Sequence, residues 1–222
     1  MFYGRYMRST ILFDLDGTLL NTSPGIFSTA NQTVQELGFE PLSDAQLRKF
    51  VGPPLAACFR VACGLEEALI PRACSVYREI YDNKGAMYQA SVYPQILELL
   101  QHLSQRGCTM GVATLKYEPL AEDILEHFGI ANYFKTIVGA DSGGKLSKAD
   151  IIRIALERIQ QEDYSQVIMV GDTPHDLDGA VAIGVDFLGV DWGFGFSKGH
   201  AIPPQPHILG MIDEPLSLLD FL

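Results

Sequence analysis

Ile11-Leu12-Phe13-Asp14-Leu15-Asp16-Gly17-Thr18-Leu19-Leu20-Asn21-Thr22 begins with three apolar residues and runs straight into two aspartates, a glycine and a threonine. The apolar triplet is too short for a helix and reads as a buried strand that stops at Asp14. Ligands of open parallel sheets bind at the carboxyl ends of the strands, so Asp14 to Thr18 is the first place to look for chemistry. An EF-hand loop is excluded. It needs an acid or Asn at position five and Gly at position six, where this chain has Thr18 and Leu19. A turn or a helix cap would use the same aspartates, so the segment must be weighed together with the other strand ends.

Outward from this segment, short apolar runs alternate with helical patterns. Thr109–Ala113, Thr136–Val138, Val167–Val170 and Phe187–Val190 read as further buried strands. Pro94 opens a helix with Ile96, Leu97, Leu100 and Leu103 on one stripe, ended by Gly107. Pro119 opens another, with Leu120, Ile124 and Phe128 ahead of Gly129, and a third follows Lys148. Strands alternating with helices over residues 94–190 predict a parallel sheet of right-handed βαβ units. Residues 22–85 lack strand-like runs. Pro24 follows Thr22 or Ser23 as N-cap, and Ile26, Phe27, Ala30, Val34 and Leu37 share a helical face. Helical stretches follow near residues 43–50, 54–62 and 65–82, with Gly52-Pro53-Pro54 as a break. About 90 residues between the first two strands far exceed an ordinary crossover. The fold predicted is α/β, a Rossmann-like parallel sheet core at residues 1–20 plus 87–222 with an inserted all-helical cap at 21–86.

Size and charge agree with this plan and narrow the function. The chain has 222 residues, 47% of them hydrophobic, which suits one core plus an insertion rather than a disordered chain. Lys plus Arg number 16 against 27 Asp plus Glu, a formal net charge of −11. Such a surface repels phosphate backbones and anionic headgroups, so nucleic acid and membrane are not expected as partners. Cys58, Cys63, Cys74 and Cys108 form no Cys-x-x-Cys pair and read as small buried residues of a reducing compartment. No apolar run approaches the ~18 residues of a membrane span. Residues 1–10 carry no apolar signal-peptide core. A cytoplasmic location is expected, and the oligomeric state is left open.

Three strand ends carry polar groups: Asp14 and Asp16 on the first, Thr114 with Leu115 and Lys116 on the second, and Gly171-Asp172-Thr173-Pro174-His175-Asp176 on another. Singly, Thr114, Asp172 and Asp176 could be helix caps. Together on successive strand ends they point to a ligand site. Asp14–Thr22, Gly111–Thr114, a lysine before a helix and Gly171–Asp176 resemble the motifs of the haloacid-dehalogenase-like hydrolases, in particular the phosphoglycolate-phosphatase-like branch.

That resemblance implies Mg²⁺-dependent phosphoryl transfer through an aspartyl-phosphate on Asp14, beneath a mobile cap hinged near residues 20–23 and 84–88. It implies that Asp14, the Asp16 main-chain carbonyl and Asp172 hold Mg²⁺, a hard cation that prefers oxygen ligands. Asp16 would serve as general acid and base. Gly17 would let backbone approach the phosphate. The Thr114 hydroxyl and amides near Leu115 would bind phosphate at a helix N-terminus. Lys116 matches a frequent family lysine, and Thr173 and Asp176 would orient the metal site or the lysine. For the phosphate-binding lysine, Lys145 and Lys148 both qualify; Lys148 is preferred because it directly precedes a helix. The usual Lys-Pro-x-Pro is missing, and Leu115 replaces a commonly polar residue. In the cap, Arg48, Lys49 and the turn at residues 51–55 are the candidate substrate-facing element, against the alternative of a plain helix break. His102, His127 and His175 read as surface residues. The expected substrate is a small anionic phosphate ester such as phosphoglycolate. Alternatives are a 5′-nucleotidase, a pyrophosphatase and a sugar-phosphate phosphatase or mutase. A non-catalytic phospho-acceptor signalling module belongs to a different class.

Overall fold

The computed structural model describes residues 8–52, 54–196, 198–202 and 205–222. Pro53 of the expected Gly-Pro-Pro break, and residues 1–7 of the segment read for a signal peptide, lie outside them. The chain forms two compact units, one of residues 1–20 with 92–222 and one of residues 21–91.

In the first unit, β1 (Thr10–Phe13) is buried throughout, as a strand flanked on both sides and covered on both faces must be. The chain passes between the units through a two-stranded ribbon of β2 (Leu20–Asn21) and β3 (Ser91–Val92). The second unit holds α1 (Ser23–Glu36), α2 (Asp44–Leu47), α3 (Leu55–Cys63) and α4 (Ile70–Arg78). α1 packs on α4, and α4 on α3. Their shared core is aromatic: Phe50 meets Phe59 edge-on at 5.1 Å, and Tyr77 stacks on Tyr81 at 5.5 Å. Tyr77, Tyr81 and Met87 are buried, as core residues should be. α3 stops at Gly64, whose left-handed φ of 64° costs a glycine nothing.

The first unit resumes with α5 (Ile96–Gln105), β4 (Thr109–Tyr117), α6 (Glu118–His127), β5 (Thr136–Ala140), α7 (Lys148–Arg158), β6 (Val167–Gly171), α8 (Pro174–Ile183), β7 (Asp186–Val190) and β8 (Ile208–Ile212). The sheet order is β5-β4-β1-β6-β7-β8, with every pairing parallel. Leu12, Ala113, Val138, Met169 and Phe187 from the sheet pack with Ile151, Ile152, Ala155 and Leu156 of α7. The α/β class and the parallel sheet are as the sequence predicts.

Several details differ. β4 does not end at Ala113 but runs to Tyr117, because after a register shift Tyr117 pairs again with Ala140. β8 and the β2–β3 ribbon are additional strands. The buried stripe of α5 is Ile96, Leu99, Leu100 and Leu103, with Leu97 exposed. The helix there begins after Pro94 and Gln95, and Leu99 rather than Leu97 lies on the same face as Ile96, Leu100 and Leu103.

Candidate active site

β1 lies between β4 and β6, and register fixes what its end meets. Phe13 pairs with Val112 on one side and Val170 on the other, and the Asp14 amide continues the ladder to Val170 O at 2.9 Å. Asp14 therefore lies level with Ala113 and Gly171, with Thr114 and Asp172 one residue further along their own strands. Gly17 turns the chain with φ 86°, donating its amide to Leu20 O at 2.8 Å.

Asp14, Asp172 and Asp176 are all buried, and one carboxylate oxygen from each lies within 4.8 Å of the others. Lys148, the first residue of α7, sends its Nζ between two of them, 2.5 Å from Asp14 Oδ1 and 2.6 Å from Asp176 Oδ1. The placement of Lys148 starts with local sequence. Ser147 caps α7 in a reciprocal capping box with Asp150, which points residue 148 inward. On α8, Gly179 leaves room for the lysine stem, since a Cβ there would stand 2.8 Å from Lys148 Cγ.

Asp176 has two roles. Its Oδ2 accepts from the Thr173 amide at 3.0 Å and the Thr173 hydroxyl at 2.7 Å, closing the capping box of α8, while Oδ1 faces Lys148. Asp176 thus both caps α8 and pairs with Lys148. Asp172 accepts at Oδ2 from the Phe194 amide at 2.7 Å and the Gly195 amide at 3.3 Å, and at Oδ1 from the Thr18 hydroxyl at 3.3 Å. Asp16 pairs through Oδ2 with Lys116 Nζ at 3.0 Å, and its Oδ1 is buried without a hydrogen-bond partner. Thr114 is buried, its hydroxyl oxygen accepting from the Lys116 amide at 3.2 Å.

Three carboxylates against one ammonium leave the cluster two negative charges in excess. Burial, and then the repulsion of Asp176 and Asp172, push the Asp14 carboxyl up to about 8, although Lys148 pulls the other way. Burial and Asp176 push Asp172 up to about 6 against its two amide donors. Burial disfavours the Lys148 charge, but Asp14 and Asp176 outweigh it and hold its pKa above the ordinary lysine value. A site of buried oxygen donors lacking two positive charges suits a hard divalent cation such as Mg²⁺. Asp14 and Asp172 have the chemistry to hold one.

Other expected site residues are placed differently. Lys145 is exposed, on a loop in which Asp141 Oδ1 accepts its amide at 2.8 Å. Leu115 is 37% exposed and lies on the extension of β4. Helix α6 begins only at Glu118, so the amides near Leu115 are not at a helix N-terminus; Lys116, drawn to Asp16, keeps the chain extended. Arg48 and Lys49 are exposed on a 3₁₀ turn of the second unit. His102, His127 and His175 are on the surface.

Sequence reasoning missed the segment Trp192 to Phe196, which wraps Asp172, and Tyr93, which meets Trp192 edge-on at 6.4 Å. Burial, then Asp172 and Asp16, push the Tyr93 hydroxyl up to about 12. The segment follows β7, but it acts on Asp172 through main-chain amides, which side-chain identity does not reveal.

Comparison with known proteins gives the family. The family model described as haloacid dehalogenase-like hydrolase matches residues 11–190, and the chain belongs to that family of enzymes. A Pseudomonas aeruginosa protein named 5′-nucleotidase is 39% identical over 83% of each chain. A Vibrio parahaemolyticus phosphoglycolate phosphatase is 32% identical over 94% of this chain and 95% of its own. Among solved structures, a haloacid dehalogenase-like hydrolase of Streptococcus pneumoniae superposes with a TM-score of 0.85 at 34% identity, covering 96% of this chain and 97% of that one. Protein tyrosine kinase A of Mycobacterium tuberculosis superposes with a TM-score of 0.80 at 31% identity, covering 97% and 98%.

Proposed function

We propose that the protein is a Mg²⁺-dependent phosphomonoesterase of small organic phosphates that works through an aspartyl-phosphate on Asp14. The observation that carries this reading is Lys148, buried between Asp14 and Asp176 beside Asp172. It sets one buried ammonium beside a carboxylate on a strand tip, where it can offset part of the negative charge that opposes nucleophilic attack on a phosphate dianion.

In this reading Asp14 and Asp172, with the Asp16 carbonyl, hold the cation. When bound, it would favour the ionised form of Asp14, against the burial and neighbouring carboxylates that raise its pKa. Asp14 attacks phosphorus, the bond to the ester oxygen breaks, and Asp16 gives its proton to the leaving alkoxide. Asp16 then takes a proton from water, the water oxygen bonds phosphorus, and the bond to Asp14 breaks. Phosphate leaves, with the Asp14 carboxylate and the Asp16 acid restored. Lys148 offsets negative charge on the transferring group. Lys116, paired with Asp16 in the resting site, and the Thr114 hydroxyl provide further donors for phosphate oxygens. Asp176 keeps Lys148 in place.

Phosphoglycolate and nucleoside 5′-monophosphates are the substrate classes suggested by the relatives. A panel of phosphomonoesters, assayed for phosphate release with Mg²⁺ and with chelator, tests the reading. Release that depends on Mg²⁺ and disappears in Asp14→Asn supports it; release unaffected by that substitution rejects it. The likeness to a protein named a tyrosine kinase favours a second reading, phosphoryl transfer to a protein hydroxyl rather than to water. Label passing from γ-labelled ATP to protein tyrosine, without phosphomonoester hydrolysis, would select that reading.

A further inference from the structure

We propose that the segment Trp192 to Phe196 is a positioning element for cation binding, aiming the Asp172 carboxylate through main-chain amides and tying that grip to the loop that carries Asp16. The inference rests on the reading of Asp14 and Asp172 as cation ligands. An aspartate at a strand end has two free side-chain torsions, and a ligand must hold both to meet an ion without an entropic penalty. Here Phe194 and Gly195 donate their amides to Oδ2 at 2.7 and 3.3 Å, and Thr18 donates its hydroxyl to Oδ1 at 3.3 Å. The Phe196 amide holds the Asp172 main-chain carbonyl at 2.8 Å. A carboxylate has about four lone-pair sites, so the grip fixes the plane of the group and still leaves it able to bind an ion.

So close an approach needs backbone without side chains. A Cβ at Gly17 or Gly193 would run into the Asp172 carboxylate, and one at Gly195 would stand 2.6 Å from Asp172 O and 2.8 Å from Thr173 Cα. Trp192 completes the connection, its indole Nε1 donating to Thr18 O at 3.2 Å, two residues beyond Asp16. A loop that only covered the sheet would have no use for two amides on one carboxylate or for three glycines around it.

Trp192 is the only tryptophan of the chain, so its fluorescence reports on this segment. The test is Mg²⁺ titration of the full-length metal-free protein, followed by calorimetry and tryptophan fluorescence, with thermal melting recorded alongside. Gly195→Ala is expected to raise the Mg²⁺ Kd by about tenfold or more, the size typical of losing a group that orients a metal ligand. Trp192→Phe, which removes only the indole hydrogen bond, is expected to raise it by a smaller factor, read by calorimetry, while the metal-free melting temperature holds. It decides the matter alone if Gly195→Ala does not fold. A Kd within about twofold of wild type in the folded variants, whatever happens to the melting temperature, overturns the proposal. Wild-type protein that does not bind Mg²⁺ overturns the cation assignment and this proposal together. Binding that the variants leave untouched overturns this proposal alone.

Discussion

Lys148 is almost wholly buried, and an ammonium there is stable only because two carboxylates receive it. Replacing it with methionine strands three buried acids together. We expect Lys148→Met to lower kcat by about 100-fold or more and to cost roughly 3–5 kcal/mol of stability. Lys145→Ala should stay within about twofold of wild type, because that side chain is in solvent. Steady-state kinetics and denaturant melts on both variants check this, and equal losses would reject the placement of Lys148. Asp14→Asn should fold and lose turnover by about 10³-fold or more. At this scale the sequence was readable wherever chemistry and strand ends coincide, as for Asp14, Asp16 and Asp172. It preferred Lys148 over Lys145 without settling between them, because both lie close to the start of the same helix. Trp192 to Gly195 escaped because their contribution is mostly main-chain amide, which no residue type announces.

Among the elements, α7 and α8 hold the site together by lying side by side. Gly179 is what permits this, with the Lys148 stem filling the space a side chain would take. Gly179→Ala should lower stability by about 1–3 kcal/mol, through overpacking, and lower kcat as well, because the displaced atoms belong to Lys148. A chemical denaturation curve beside a kcat measurement checks both effects; a stability loss with kcat unchanged would mean that Lys148 tolerates the shift. The capping boxes of α7 and α8 are local patterns and could be read directly: Ser147 with Asp150, and Thr173 with Asp176. The extension of β4 to Tyr117 could not, because it depends on re-pairing with Ala140 on another strand and on the pull of Asp16 on Lys116. β8 was also missed. Ile208–Ile212 is half-buried over four of its five residues and contains Gly210 at φ 130°, so its strand character comes from pairing with β7 more than from its own composition.

Across the whole molecule, the raised carboxyls of Asp14 and Asp172 link stability to pH. The folded protein holds protons that the unfolded chain releases near pH 4, so this stabilisation is complete at low pH and is lost as pH rises through about 6 and then about 8. The metal-free protein should therefore melt at progressively lower temperature from pH 5 to pH 8, and Mg²⁺ should restore more at pH 8 than at pH 5. Calorimetric scans across that range with and without Mg²⁺ provide the check, and a melting temperature rising with pH would contradict the cluster's electrostatics. None of the four cysteines forms a disulfide and none is favoured as thiolate, burial pushing Cys58 up to about 12 and Cys63 to about 11. Ellman's reagent at pH 8 should label the native protein slowly and all four cysteines after denaturation. No helix among the described residues is long and apolar enough to cross a membrane, in keeping with the absence of long apolar runs. The order of strands and helices, and the acids at the strand tips, were set by the chain alone, since hydrophobic period and turn chemistry act within a few residues. Which lysine enters the cluster, how far β4 extends, and what grips Asp172 were decided only by the packed fold, because each depends on groups separated by 20 to 150 positions that meet when helices and loops dock on the sheet.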